Sequence, residues 1–457
     1  MKNLFHKIDM GTFRCVNVIL KELSTCYTEE NLMTDKVPES STRCAVRRAF
    51  LAGCSEQTRL LQDPIVDSYA AKGHPNPSGL GDAARFSQKG SWGQSSVLFP
   101  TLATYLTADE LGSAPYGGAE YGVPQTPEAD AVCKKIAALH NGCGAVICTS
   151  GLAAIATTLD AFSPKAVLIP DNVYGPMIRF MNHRSIKQIR YPAGASGDEF
   201  RSVLAKARAE YPQCEDLIAY IEAPGSGTFE IPDIDGIAAA SQEAGLRTVM
   251  DNTWASHVRL KPLEHGIDIV VQATTKYEGG YGDTPSGVVI AKRPKDLQLL
   301  AAELRATGNG AVAPTTCARL YHRIDSAEER LNRHAETANA LMAWFLQQPF
   351  VAEVLSPTLE TSPYYERFQR YFGKGNGLFS VVFRPDIAAE RIEAFMDELN
   401  LFWVAESWGG HLSLVLPVHA KREVSSLPDG YILRFHAGLE DCHDLLHDLE
   451  QASAGLA

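Results

Sequence analysis

Between residues 145 and 273, short apolar runs alternate with helix-length segments, and this alternation constrains the chain more than any other feature. Residues 145–148, Ala166–Pro170, Leu217–Glu222, Arg247–Asp251 and 267–273 read as strands. Residues 152–162, 176–186, 199–211 and Ile234–Glu243 read as the helices between them. Strand-to-helix alternation builds a mostly parallel sheet covered on both faces, so the expected class is α/β. In such sheets chemistry collects at the carboxyl ends of the strands.

After about Tyr321 the texture changes. Residues 327–347 form an amphipathic helix candidate, followed by a strand at Leu378–Phe383, a helix at 388–399, a strand at 431–438 and a last helix at 441–452. This reads as a smaller C-terminal α+β domain. The first 75 or so residues differ again: they hold Cys15, Cys26, Cys44 and Cys54, Ser/Thr clusters and a weak apolar pattern. They lack the apolar h-region of a secretory signal, and Glu22, Glu29, Glu30 and Asp35 spoil the acid-poor composition of a transit peptide. A flexible extension is expected there. The division expected is 1–75 extension, 76–128 arm, 129–322 cofactor domain and 323–457 small domain.

The chain has 457 residues, 45% of them hydrophobic, enough for a sizeable core. Its formal net charge is −12 and it carries no dense Lys/Arg run, so no nucleic-acid partner is expected. The apolar runs are of strand length, well short of the roughly 20 residues of a membrane helix. Ten cysteines with no CxxC pair point to free thiols in a reducing, cytoplasmic setting rather than a disulfide scaffold or zinc ribbon.

Four features fall at strand ends. Thr149-Ser150-Gly151-Leu152 follows a strand and opens a helix, where Ser150 suits an N-cap and free N–H groups favour a phosphate. Alone, it reads first as a capped helix without a ligand. Asp251 ends an apolar strand, and a carboxylate there needs a cation or several hydrogen bonds, or serves as a structural cap. Lys276 follows another apolar strand, where a buried lysine becomes a nucleophile and an unburied one merely snorkels. Tyr174, in Asp171-Asn172-Val173-Tyr174-Gly175-Pro176, could stack on a flat ring or pack in a core. Together they supply what pyridoxal phosphate requires: a lysine for its aldehyde, an acid for its ring nitrogen, a phosphate cup and an aromatic.

With those residues in view, the sequence resembles the Cys/Met-metabolism enzymes of fold type I, dependent on pyridoxal 5'-phosphate. The resemblance runs from about Gly90 to the C-terminus. It includes Ser150-Gly151-Leu152-Ala153-Ala154-Ile155, Glu222-Ala223-Pro224-Gly225-Ser226, Asp251-Asn252-Thr253-Trp254, Thr274-Thr275-Lys276-Tyr277, Ser407-Trp408-Gly409-Gly410 and Arg434-Phe435-His436-Ala437-Gly438. It implies the aspartate aminotransferase-like fold. Pro224-Gly225-Ser226, Trp254 and Trp408 resemble the cystathionine β-lyase branch, whereas Glu406 resembles γ-acting relatives.

By this resemblance Lys276 would carry the cofactor and act as the base. Asp251 would pair with the ring nitrogen, and Tyr174 would stack on the ring and take part in proton transfer. Ser150, Gly151, Leu152 and Thr275 would bind the phosphate. Arg434, with Ser407 and Trp408, would hold the substrate. Tyr121 would reach into a neighbouring subunit, within a homotetramer built as a dimer of dimers. The implied reaction is β-elimination of L-cystathionine to homocysteine, pyruvate and ammonia; γ-synthesis, γ-elimination, other cysteine conjugates or a degenerate relative are the alternatives. The sequence departs from the family at Val123, where an arginine is usual, at Gln125-Thr126, and at Gly280-Tyr281-Gly282-Asp283.

Overall fold

A computed structural model of the chain describes residues 53–55 and 126–456. The expected N-terminal extension, apart from 53–55, and most of the expected arm, Tyr121 included, lie outside the described residues. At Ser55 the backbone N–H donates to Asp444 at 2.8 Å, which ties this point of the chain to the last helix.

Seven strands form the larger sheet: β1 (Gly144–Cys148), β2 (Ala166–Pro170), β3 (Lys187–Tyr191), β4 (Leu217–Glu222), β5 (Arg247–Asp251), β6 (Ile269–Gln272) and β7 (Gly287–Ala291). Their order is β1-β7-β6-β5-β4-β2-β3. The β3-β2-β4-β5-β6 pairings are parallel, and only β7 runs the other way, between β6 and β1. Every residue of β1, β2, β4, β6 and β7 is buried, as expected of strands covered on both faces.

One apolar cluster, including Phe200, Ile221 and Ile234, fills one side of this sheet, and another, including Leu159, Ile169 and Leu300, the other. The helices between the strands start on the caps their sequences offer. Ser150 accepts from Ala153 N at 3.0 Å ahead of the helix Gly151–Phe162. Ser196 and Glu199 form a reciprocal capping box at Gly197–Glu210.

The second sheet has the order β10-β11-β12-β9-β8, with β8 at Val351–Leu355, β9 at Leu378–Phe383, β10 at Trp403–Val404, β11 at Leu414–Pro417 and β12 at Ile432–His436. Its core is aromatic: Phe379 and Phe435 are cross-strand partners, stacked with ring centroids 5.4 Å apart. The long helix is Ala327–Phe345, packed on this core through Leu341, Met342 and Phe345.

The alternation is therefore real, with local differences. The helix expected at 176–186 spans Gly175–His183, and the chain then enters β3, an edge strand that carries Lys187, Gln188 and Arg190. Its polar residues hide it from a pattern of apolar runs. Strand β7 is as apolar as its neighbours, but no helix separates it from β6.

Candidate active site

Strands β1, β2, β4, β5 and β6 all end on the same edge of the larger sheet, and their following residues converge on one cavity of about 240 Å³. Ser150, Gly151, Leu152, Tyr174, Asp251, Thr275, Lys276, Trp408 and Arg434 all line it. Ser407 adjoins it through its bond to Lys276. Of the site residues expected from sequence, only Tyr121 lies outside the described residues.

At the β1 end, the Ser150 hydroxyl is occupied with Ala153, so the N–H groups of Gly151 and Leu152 are left at a helix N-terminus beside the cavity. Gly151 is required by space: a Cβ there would come within 2.5 Å of the Ala273 Cβ. The Thr275 hydroxyl donates to Ser286 O at 3.0 Å and accepts from Ser286 N at 3.1 Å. It can donate to a phosphate only by releasing the first of these bonds.

Asp251 ends β5. Its Oδ1 accepts from Thr253 N at 2.9 Å, and the Tyr220 hydroxyl lies 3.4 Å from Oδ2. Burial pushes its carboxyl above the ordinary range, against the Thr253 bonds and the Lys276 charge. Glu222 pairs with it in register at the end of the adjacent strand β4. Burial and the Asp251 charge push the Glu222 carboxyl up as well, while it accepts from Ser226 Oγ at 2.6 Å and Tyr174 N at 2.7 Å. Neither of these adjacent carboxyls forms an ion pair, although the Lys276 charge bears on Asp251, and a protonated ring nitrogen at Asp251 would add a direct partner.

Lys276 Nζ donates to Ser407 Oγ at 2.5 Å and lies 4.9 Å from the centre of the Trp408 ring. Burial and the Arg434 charge lower its amine to about 8, against Asp251 and Glu406. Arg434, on β12, donates to Ser407 O at 2.9 Å. Ser407 thus touches both cations with its side chain and its carbonyl, from a backbone held at φ 80°. Tyr174 is 40% exposed, enough to meet a ring entering the cavity. Burial, then Asp251 and Glu222, push its phenol up, which keeps it protonated.

Sequence reasoning gave no role to Glu222 or Ser226. The signal for Glu222 was present, an acid ending an apolar run, but its partner Asp251 is nearly thirty residues away and only strand register joins them. Of the departures from the family pattern, Val123 and Gln125 lie outside the described residues, and the segment 280–283 is built into local structure. Next to Gln125, Thr126 caps the helix Pro127–Leu139. Asp283 pairs with Arg319 and Arg323, and the Arg323 guanidinium lies 4.5 Å from the centre of the Tyr281 ring.

Residues 85–454 match the model of one family, the Cys/Met metabolism PLP-dependent enzymes. The chain belongs to this family. A putative cystathionine beta-lyase of Rhizobium johnstonii is 32% identical over 371 residues, covering 79% of this chain and 89% of that one. An L-alanine/L-glutamate racemase of Wolbachia pipientis is 30% identical over 376 residues, covering 79% and 91%. Among solved structures, cystathionine gamma synthase from Xanthomonas oryzae pv. oryzae in complex with cystathionine superposes with a TM-score of 0.69 at 26% identity, covering 79% and 91%. The fold is that of the fold type I enzymes, and the family's cofactor is pyridoxal phosphate. The cavity fits it: a lysine, an acid that forms no ion pair, free N–H groups at a helix N-terminus and an exposed tyrosine stand at the ends of neighbouring strands. No helix among the described residues is long and apolar enough to cross a membrane.

Proposed function

We propose that the protein is a carbon–sulfur lyase that converts L-cystathionine to homocysteine, pyruvate and ammonia by β-elimination. The observation that carries this reading is the meeting of Lys276, Asp251 and Arg434 in one cavity, with Ser407 bonded to both cations. Lys276 would hold the cofactor, Asp251 its ring nitrogen, Tyr174 its ring face, and the N–H groups at Gly151 and Leu152 its phosphate. When bound, the cofactor supplies an electron sink for the pair left by Cα–H cleavage.

The chain's own residues do the rest. Arg434 takes the α-carboxylate, for which a guanidinium offers a bidentate fork. Lys276 Nζ removes the α-proton, a task matched to an amine lowered to about 8. Lys276 or the protonated Tyr174 returns a proton to sulfur as the Cβ–S bond breaks, and homocysteine leaves. The remaining three-carbon enamine takes up water to give pyruvate and ammonia.

Pro224-Gly225-Ser226, Trp254 and Trp408 support β- over γ-chemistry, and the Rhizobium relative's name agrees. Glu406 supports a second reading, γ-elimination, since its charge bears on Lys276, Tyr174 and Arg434 alike. Thiol analysis separates the two: β-elimination yields homocysteine and γ-elimination yields cysteine. The Wolbachia relative adds a control, the appearance of D-alanine from L-alanine. The lyase reading requires purified protein to take up pyridoxal phosphate with a visible absorption band that Lys276→Ala abolishes along with turnover. A chain that takes up no cofactor contradicts it. We also infer domain limits at 129–322 and 323–457, a homotetramer in which Tyr121 serves a neighbouring site, and a cytoplasmic setting, with Cys133, Cys148 and Cys317 as buried thiols.

A further inference from the structure

Asp171 opens the turn that carries Tyr174, yet nothing in the proposed chemistry uses it. Its side chain is fully buried at the end of β2. Its carboxylate accepts three consecutive backbone N–H groups from a segment more than 250 residues away: Glu423 at 3.0 Å, Val424 at 2.9 Å and Ser425 at 2.8 Å. Arg190 adds a bond to Oδ1 at 3.2 Å and an ion pair with Glu423 at 3.0 Å. Ser425 Oγ closes the fastening by accepting from Ala193 N at 2.9 Å. Burial pushes the Asp171 carboxyl up, but the three N–H groups and the Arg190 charge outweigh it, so its pKa is lowered.

Segment 418–425 leaves the end of β11, in the second sheet, and crosses to the larger one. Before reaching Asp171 it is held a second time. Arg422, whose side chain is 4% exposed, donates to Thr228 Oγ1 and to Glu230 Oε1. Glu230 in turn accepts from Asn172 Nδ2 at 3.0 Å, and Asn172 O accepts from Ser226 N at 2.9 Å. Gly225 lies so close to Asn172 that a Cβ there would overlap its side-chain amide at 1.7 Å. At Gly227, which lines the cavity, an added Cβ would come within 3.0 Å of Val418 Cγ1, so the first residue of the segment sits close to this wall. One strap therefore fastens two turns that line the cavity, the one bearing Tyr174 and the one bearing Ser226.

We propose that Asp171 and Arg422 are positioning residues that lock segment 418–425 across these turns and so fix Tyr174 and the Pro224–Gly227 wall against the reacting centre. The proposal deepens the lyase reading and rests on it for the role of Tyr174, while the strap itself stands on the bonds above. Neither residue lines the cavity. Their effect passes through the backbone of residues 172–174 and 224–228, where small misplacements cost rate rather than affinity.

The test compares cofactor-loaded wild type with Asp171→Ala and with Arg422→Met, which leaves the Asp171 fastening intact if the first variant fails to fold. Lys421 is exposed and sits in the strap, so trypsin reports on it directly. Cleavage after Lys421, followed by mass spectrometry under native conditions, is expected to accelerate by about tenfold or more in a released strap. Turnover per loaded site, on whichever of cystathionine, cysteine and homocysteine reacts fastest, is expected to fall by about tenfold in kcat with KM within about threefold. Unchanged cleavage in both variants overturns the strap. Accelerated cleavage with kcat per loaded site unchanged overturns the positioning role. If wild type turns over none of the three substrates, the lyase reading fails, and the cleavage rates still decide the strap.

Discussion

At the scale of single residues, the site is a set of charges held away from their ordinary protonation. In the proposed role Lys276 is a base only when neutral, and burial with Arg434 nearby brings its amine to about 8. The neutral fraction therefore grows as pH rises, and kcat should increase about fivefold between pH 7 and pH 8 before levelling. A stopped assay across that range checks this, and a flat profile counts against Lys276 as the base. Glu222 has the opposite sign. Its folded carboxyl is raised, so the folded state holds a proton that the unfolded chain has lost, and stability falls as pH rises through that window. Glu222→Gln removes the effect. In the cofactor-free protein the variant should gain stability relative to wild type between pH 5 and pH 8, read as a growing difference in urea midpoint. A constant difference would show that burial and Asp251 do not raise the Glu222 carboxyl.

At the scale of elements, the proposed phosphate cup is a strand end, a cap and a helix N-terminus built from contiguous residues. Ser150→Ala removes the bond to Ala153 N and should cost about 1 kcal/mol of stability by denaturant titration. Gly151→Val forces a side chain against Ala273 and closes the cup. Its dissociation constant for pyridoxal phosphate should rise by more than about tenfold, measured by equilibrium dialysis. This scale was also the most legible. Strands β2, β4 and β5 and the helix Ile234–Glu243 stand where the apolar pattern puts them, because strands buried on both faces write themselves as unbroken apolar runs. Strand β3 was hidden by its polar edge, and β7 by the absence of an intervening helix. Lys276 and Asp251 could be found because each ends its own strand. The pairing of Glu222 with Asp251, and the reach of Ser407 to Lys276, are made by folding and leave no trace in spacing.

At the scale of the whole molecule, the candidate active site is a seam between two sheets. Lys276 and Asp251 come from the larger, and Ser407, Trp408 and Arg434 from the smaller. Other bonds along the seam hold the two together: Asn376 donates to Trp254 O at 2.8 Å, and Arg259 to Gly375 O at 3.1 Å. Arg330, on the long helix, donates to Tyr277 O at 2.6 Å and Glu278 O at 3.1 Å, directly behind Lys276. Truncating it to alanine leaves buried carbonyls without donors and should cost about 3 kcal/mol, with reduced turnover as the lysine loses its backing. Urea unfolding of Arg330→Ala checks this, and a loss below about 1 kcal/mol would place the seam's strength elsewhere. What the assembled seam does to its substrate is decided by which bond to sulfur breaks. The keto acid formed from L-cystathionine by the cofactor-loaded protein reports that directly: the account predicts pyruvate, and 2-oxobutyrate would contradict it.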